Sequence, residues 1–203
     1  MASARFFTFF PTALGLCAVA WNEIGLTGVW LPETNPVSLQ RKVTRRCEGA
    51  RESAPSGAIV ETVEAIARLL AGERVDLTGV AIDSAGIDDF DRRVYAVTRT
   101  IAPGRVLTYG EVAARVGTDA TARAVGQSLG RNALPIVVPC HRVVATGGGL
   151  GGFSAPGGAA TKRRMLAIED AQPAGPPGLF DVDAAAPDDE PVATSDRKAR
   201  AGH

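Results

Sequence analysis

The chain has 203 residues, 45% of them hydrophobic, with three cysteines, two histidines and a formal net charge of zero. That length buries a real core in one large domain or two small ones, and the composition is that of a globular protein, not of a disordered or fibrous one. Cys17, Cys47 and Cys140 are odd in number, widely spaced and lack a Cys-x-x-Cys, which argues against a structural zinc site and a disulfide framework and suits a reducing cytoplasm.

Charge is unevenly spread. Residues 90–170 carry eleven Arg/Lys against five Asp/Glu, a net +6, whereas residues 1–89 and 171–203 each carry a net −3. A basic middle between acidic flanks is what a nucleic-acid footprint requires, although chance clustering of arginines gives the same count. At the N-terminus Arg5 and the apolar residues 6–20 mimic a secretory signal, but Pro11 interrupts that core and the pattern continues beyond it. The competing reading is a run of three strands, 6–10, 16–21 and 26–31, with turns at 11–15 and 22–25. Residues 32–56 are polar, with Arg41, Lys42, Arg45 and Arg46 crowded together, and read as a long loop or partly disordered insert. Ser56 is placed to cap a helix whose apolar face is Ile59, Val63, Ile66, Ala67 and Leu70 and which Gly72 stops. Residues 75–82 read as extended. No stretch is long and apolar enough to span a membrane.

Asp88 opens a second, mainly helical part. Phe90, Val94, Tyr95, Val97 and Ile101 give one helical face, ended by Pro103-Gly104. Thr108-x-x-Glu111 has the form of a capping box and begins a short helix through Val116, closed by Gly117. Thr118 or Asp119 then starts a further helix over residues 120–131. Two short helices joined by a glycine-containing turn make a helix-turn-helix. The second carries Arg123 and Arg131 and the small residues Ala122, Ala124, Gly126 and Ser128, which permit close approach to a partner; a plain packed pair with surface arginines fits the spacing as well.

The apolar residues 134–138 end in Pro139, which cannot donate to a sheet, so Cys140 is presented at the end of an ordered segment with His141 beside it. A thiol attacks only as thiolate, which a base or a nearby cation supplies. Adjacent residues need not face each other, so a buried cysteine beside a satisfied histidine is the plainer alternative. Residues 147–158 contain seven glycines with Phe153 and Ser154, but no Gly-Lys-Ser/Thr follows, so a phosphate loop is a weak reading. Thr161 is placed to cap a last helix, 162–169. Residues 171–203 are rich in Pro, Ala and Asp without periodicity and read as a disordered acidic tail.

Pro139-Cys140-His141-Arg142-Val143 resembles the acceptor motif of the O6-alkylguanine-DNA alkyltransferase family. The resemblance extends to residues 103–113, to Ala122-Arg123-Ala124-Val125-Gly126, to Arg131-Asn132 and to the glycine-rich stretch, ending near Lys162 and Glu169. It is strong over residues 88–170 and loose over 5–87. It implies an α+β fold: an N-terminal ribonuclease-H-like small antiparallel sheet with a helix (1–87), then a winged-helix-like, helix-turn-helix alkyl-acceptor domain (88–170). It further implies irreversible transfer of an alkyl group from O6-alkylguanine, with O4-alkylthymine as a further substrate, to Cys140, once per molecule and without metal or cofactor. The implied partner is double-stranded DNA entered from the minor groove by a monomer.

By the same resemblance Glu169 orients His141, Arg123 replaces the extruded nucleotide, Tyr109 crowds its phosphate and can return a proton to the purine, and Ala122, Ser128 and Arg131 face DNA. Asn132 braces the turn carrying Cys140; Pro139, Arg142, Phe153 and Ser154 line the pocket or support it structurally. Phe153 stands where the family more often has tyrosine, and Ala155-Pro156 lengthens the loop, which bears on substrate breadth. Two other readings compete: a Cys-His hydrolase with turnover, and a DNA-binding module without transfer.

Overall fold

The computed structural model describes residues 4–171. Its N-terminal half is a four-stranded sheet in the order β3-β2-β1-β4, from β1 (Phe6–Thr12), β2 (Gly15–Trp21), β3 (Leu26–Trp30) and β4 (Arg51–Glu52). β1 pairs with β2 and β2 with β3 antiparallel, whereas the short β4 runs parallel to β1, so the sheet is mixed and not wholly antiparallel. Strand β1 runs on past the expected turn at Pro11. Pro11 pairs opposite Leu16, and the reversal falls at residues 13–14. The first hairpin therefore forms part of the core, as the strand reading requires.

Period-two alternation sorts the two faces. Phe10, Cys17, Val19 and Trp21 join the main core; Phe7, Ala18 and Ala20 face the opposite way. That second face is covered by helix α1 (Pro36–Arg46), which lies where a loop was expected. Asn35 caps it through Ser38 N, Pro36 supplies the first-turn residue, and Leu39, Val43 and Cys47 recur every four residues onto the sheet. Polar residues on its other sides mask this three-residue stripe. Helix α2 (Ala58–Leu70) packs on the main-core face. Its cap residue is Gly57, Ser56 makes no side-chain cap, and its buried face is Thr62, Ile66, Leu69 and Leu70. Residues 75–82 form turns and coil with one isolated bridge, Leu26 to Ile82, instead of a strand.

The C-terminal half is helical. α3 (Asp89–Arg99), capped by Asp88, ends four residues before Pro103 and buries Val94, Tyr95 and Thr98. α4 (Tyr109–Val116) begins with a complete capping box between Thr108 and Glu111 and ends at Gly117, whose φ of 138° suits glycine. α5 (Ala122–Gly130) is capped by Thr121, not by Thr118 or Asp119; Asp119 instead pairs with Arg93. α6 (Gly158–Ile168) starts at left-handed Gly157, and Thr161 Oγ1 donates to Pro156 O inside the first turn instead of capping it. A two-stranded parallel pair, β5 (Leu107–Thr108) with β6 (Val143–Val144), ties the start of α4 to the chain just beyond Cys140. The main core runs without a break from Phe10 and Val19 through Ile66 and Val94 to Leu134 and Met165, so both halves share it. Apart from Ala171, buried against Leu166 and Leu150, the expected acidic tail lies outside the described residues.

Candidate active site

Residues 134–139 are not a strand. They form a sequence of turns in which Ile136 has φ of 76°, a left-handed conformation rare for a β-branched residue. Asn132 holds this loop from both ends: its Oδ1 accepts from Leu134 N at 2.9 Å and its Nδ2 donates to Val138 O at 2.9 Å. From outside, Val29 N of β3 donates to Ala133 O at 2.9 Å. Pro139 then turns the chain into a single 3-10 turn, Cys140–Arg142, which separates the thiol, on the cavity side, from the two side chains that follow it. All three are buried.

Arg142 and His141 point back into the protein, where both meet Glu169 at the end of α6. His141 Nε2 lies 2.9 Å from Glu169 Oε1. Arg142 donates from Nη2 to Oε1 at 2.7 Å and from Nε to Oε2 at 2.8 Å, and its Nη1 donates to Ile101 O at 2.7 Å. Burial alone would raise the Glu169 pKa, but the bonds from His141 and Arg142 outweigh it and hold the carboxyl at about 2. Gly104 packs its backbone against the Glu169 carbonyl; a Cβ there would lie 3.0 Å from that oxygen at φ of 78°, so the turn needs glycine. Because Glu169 is an ionised acceptor, the His141 proton belongs on Nε2. Nδ1 is then left with its lone pair, buried and without a hydrogen-bond partner. Burial also lowers the His141 pKa, against the pull of Glu169, so the imidazole is a neutral base near pH 7.

Lys162 is the group that sequence reasoning left without a role. Its side chain is fully buried, Nζ donates to Val143 O at 2.6 Å and lies 5.7 Å from the Tyr109 ring centre. Burial lowers its pKa to about 8, and the Cys140 thiolate opposes that shift. The Cys140 pKa is raised by burial, with the Asn132 amide and Lys162 acting the other way. An unaided thiol here stays protonated, so attack needs the neighbouring base and cation.

Cys140 opens forward onto a cavity of about 650 Å³ lined by Tyr109, Arg123, Gly126, Phe153 and Ser154 among others. Tyr109, first residue of α4, donates from Oη to Gly152 O at 3.3 Å, and burial raises its pKa, so it remains a proton donor. Its ring fills the space beside Gly151, where a Cβ would come within 2.8 Å of it. Arg123 and Ala122 are exposed at the start of α5 and line this cavity. Arg123 forms no hydrogen bond or ion pair among the described residues. Of the other residues expected on this face, one is turned inward and one is held by an internal partner. Ser128 is buried on the core side of α5, its Oγ without a partner, and cannot reach a docked surface. Arg131, just past α5, is paired through Nε and Nη2 with buried Asp91. Among the described residues no three His, Cys, Asp or Glu side chains gather as a metal site requires, and no helix is long and apolar enough to cross a membrane.

The family model described as 6-O-methylguanine DNA methyltransferase, DNA binding domain, matches residues 89–171. The methylated-DNA–protein-cysteine methyltransferase of Methanothermobacter thermautotrophicus is 34% identical over 151 residues, which span 74% of this chain and 77% of the relative. That of Mycobacterium bovis is 38% identical over 62% of this chain and 73% of its own length. Among solved structures, Mycobacterium tuberculosis OGT in complex with DNA superposes with a TM-score of 0.66 at 28% identity, covering 81% of this chain and 92% of that one. The O6-methylguanine-DNA methyltransferase of Pyrococcus kodakaraensis gives 0.63 at 28% identity, covering 80% and 98%. With a buried thiol and, beside it in the chain, a histidine bonded to a glutamate, all within the matched region, this chain belongs to the methylated-DNA–protein-cysteine methyltransferase family.

Proposed function

We propose that the protein repairs DNA by direct reversal, moving an alkyl group from O6 of guanine in a duplex onto Cys140. The observation that carries this reading is a buried thiol at the junction between an open cavity and a closed His141–Glu169–Arg142 chain. Glu169, kept ionised by Arg142, holds the proton of His141 on Nε2. Nδ1 takes the Cys140 proton through a bridging water, and Lys162 stabilises the thiolate. The sulfur attacks the alkyl carbon, the S–C bond forms as the C–O6 bond breaks, and the purine leaves neutral after a proton returns through Tyr109. The net exchange is thiol and O6-alkylguanine for thioether and guanine. A thioether has no easy hydrolytic exit, so each molecule acts once.

A base in the stack is beyond the reach of a buried sulfur, so the nucleotide must be extruded. The small residues of α5 support a close minor-groove approach, with Arg123 filling the vacated place, Tyr109 crowding the phosphate and Ser154 with the backbone near Cys140 reading the guanine edge. The strand order, with β4 parallel to β1, supports a ribonuclease-H-like N-terminal unit up to residue 87. The α4–α5 pair with its small β5–β6 sheet supports a winged-helix-like unit over 88–170. A cytoplasmic monomer acting on O6-alkylguanine, and on O4-alkylthymine, completes the reading.

Mixing the protein with a duplex bearing one O6-methylguanine and weighing the intact chain tests it. The expected result is one added methyl per molecule, mapped to Cys140. Turnover of an ester or amide by the same cysteine would favour a hydrolase, and lesion binding with no mass change would favour a sensor.

A further inference from the structure

On α1, Leu39, Val43 and Cys47 turn to the sheet, so Lys42 and Arg46 share one flank while Arg41 and Arg45 stand on the side turned away from the sheet. The Lys42–Arg46 flank walls a second cavity, of about 280 Å³, with Trp30, Arg131 and Pro156. Gly130, Cys140, Phe153 and Ser154 line this cavity and the active-site cavity alike, so the two are neighbouring chambers of one groove. The three cations of the second chamber differ. Lys42 donates to Glu33 at 2.6 Å and Arg131 is forked onto Asp91, whereas Arg46 is exposed and has no hydrogen-bond or ion-pair partner among the described residues. Beyond Arg46 and Arg131 a further hollow contains Asp83, Asp88 and Asp91. All three are engaged: Asp83 by Asn22 and Ala85 N, Asp88 as the α3 cap, Asp91 by Arg131. Their charges disfavour an anion in that hollow and leave the chamber beside Ser154 as its path.

We infer that Arg46 contacts a backbone phosphate of the strand whose nucleotide enters the active-site cavity, so that the N-terminal half shares in holding DNA. This rests on the DNA-repair reading above. A nucleotide drawn into the cavity brings its two flanking phosphates to the rim. Arg123 stands on the α5 side of that rim, and Arg46 stands across Gly130 and Ser154 from it, on the α1 side. A guanidinium free of internal partners is suited to fork onto phosphate oxygens.

The test compares wild type with Arg46→Gln, Arg46→Lys and Arg45→Gln, all full length. Affinity for an unmodified duplex is measured against salt concentration, and Cys140 labelling is measured with the free base O6-benzylguanine, which has no phosphate. Removing one phosphate contact is expected to make the log–log salt slope of Arg46→Gln shallower by about 0.9 and to weaken binding several-fold at low salt. Arg46→Lys keeps the slope, Arg45→Gln leaves it unchanged, and free-base labelling stays at the wild-type rate in all. An Arg46→Gln slope equal to wild type overturns the inference alone. A wild-type chain that neither binds the duplex nor is labelled overturns the DNA-repair reading and this inference with it.

Discussion

Behind Cys140, Glu169 accepts from His141 and Arg142, Arg142 also donates to Ile101, and Lys162 donates to Val143. In front of it, Arg123 meets no partner among the described residues and the cavity wall is a glycine-rich loop. Apart from His141 Nδ1, the rear is closed by charge-assisted bonds, whereas Arg123 at the front is left unpaired among the described residues. Charges buried as at the rear contribute to stability only while every partner remains, because a lone buried charge costs far more than a pair gains. Exposed groups as at the front cost almost nothing to the fold and are free to act on a substrate. Stability and recognition thus separate along a line through one sulfur.

The sharpest way to break that comparison is Cys140→Ser. It is expected to abolish transfer completely, by intact mass, while leaving the unfolding midpoint and duplex binding close to wild type. Next, Glu169→Gln leaves Arg142 charged and underpaired in the interior, and a loss of about 3–5 kcal/mol in denaturant unfolding is expected, along with the loss of transfer. The wild-type carboxyl, held at about 2 against an ordinary 4.5, contributes stability that is complete above 4.5 and is lost as pH falls toward 2. The variant should therefore show a flatter acid slope; an equal slope would remove Glu169 from the account.

Arg123→Ala tests the front. Transfer from a duplex is expected to fall at least tenfold while free-base transfer is unchanged and stability moves by less than about 0.5 kcal/mol. A smaller effect is the pH profile of free-base transfer. It should rise as His141 loses its proton below neutrality and decline above about 8, where Lys162 gives up the charge that favours the thiolate. Lys162→Met should lower the maximum and remove the alkaline decline. The smallest is Ser128→Ala, which removes a buried hydroxyl with no partner and is expected to stabilise by up to about 1 kcal/mol, measured by thermal unfolding.

What was legible in the sequence was local. The capping box at Thr108–Glu111 and the stop at Gly117 involve residues within one or two turns of each other, and both stand as read. The hairpin was legible because turn residues sit between apolar runs. Helix α1 was not, since only Leu39, Val43 and Cys47 carry its apolar stripe and a stripe that thin is drowned by four basic residues. Cys140 and His141 could be singled out from their motif, but the partners that give them chemistry come from far along the chain. Lys162 reads as a surface residue in any helix, and only the packing of α6 beneath Val143 makes it a buried cation. The turn of Ser128 inward, and the capture of Arg131 by Asp91 forty residues away, likewise depend on how α3 and α5 cross.

The burial of Lys162 also makes it a reporter. The chain has three lysines, Lys42, Lys162 and Lys198, and an amine-directed acylating reagent meets Lys42 on an accessible flank while Lys162 is shut away. Burial alone holds its pKa near 8, and an uncovered Lys162 returns to the ordinary lysine range, so at alkaline pH the rate of its acylation measures how often α6 lifts from the acceptor loop. The fold thus carries, one layer beneath its reactive sulfur, an amine clock that counts openings of the site without any substrate present.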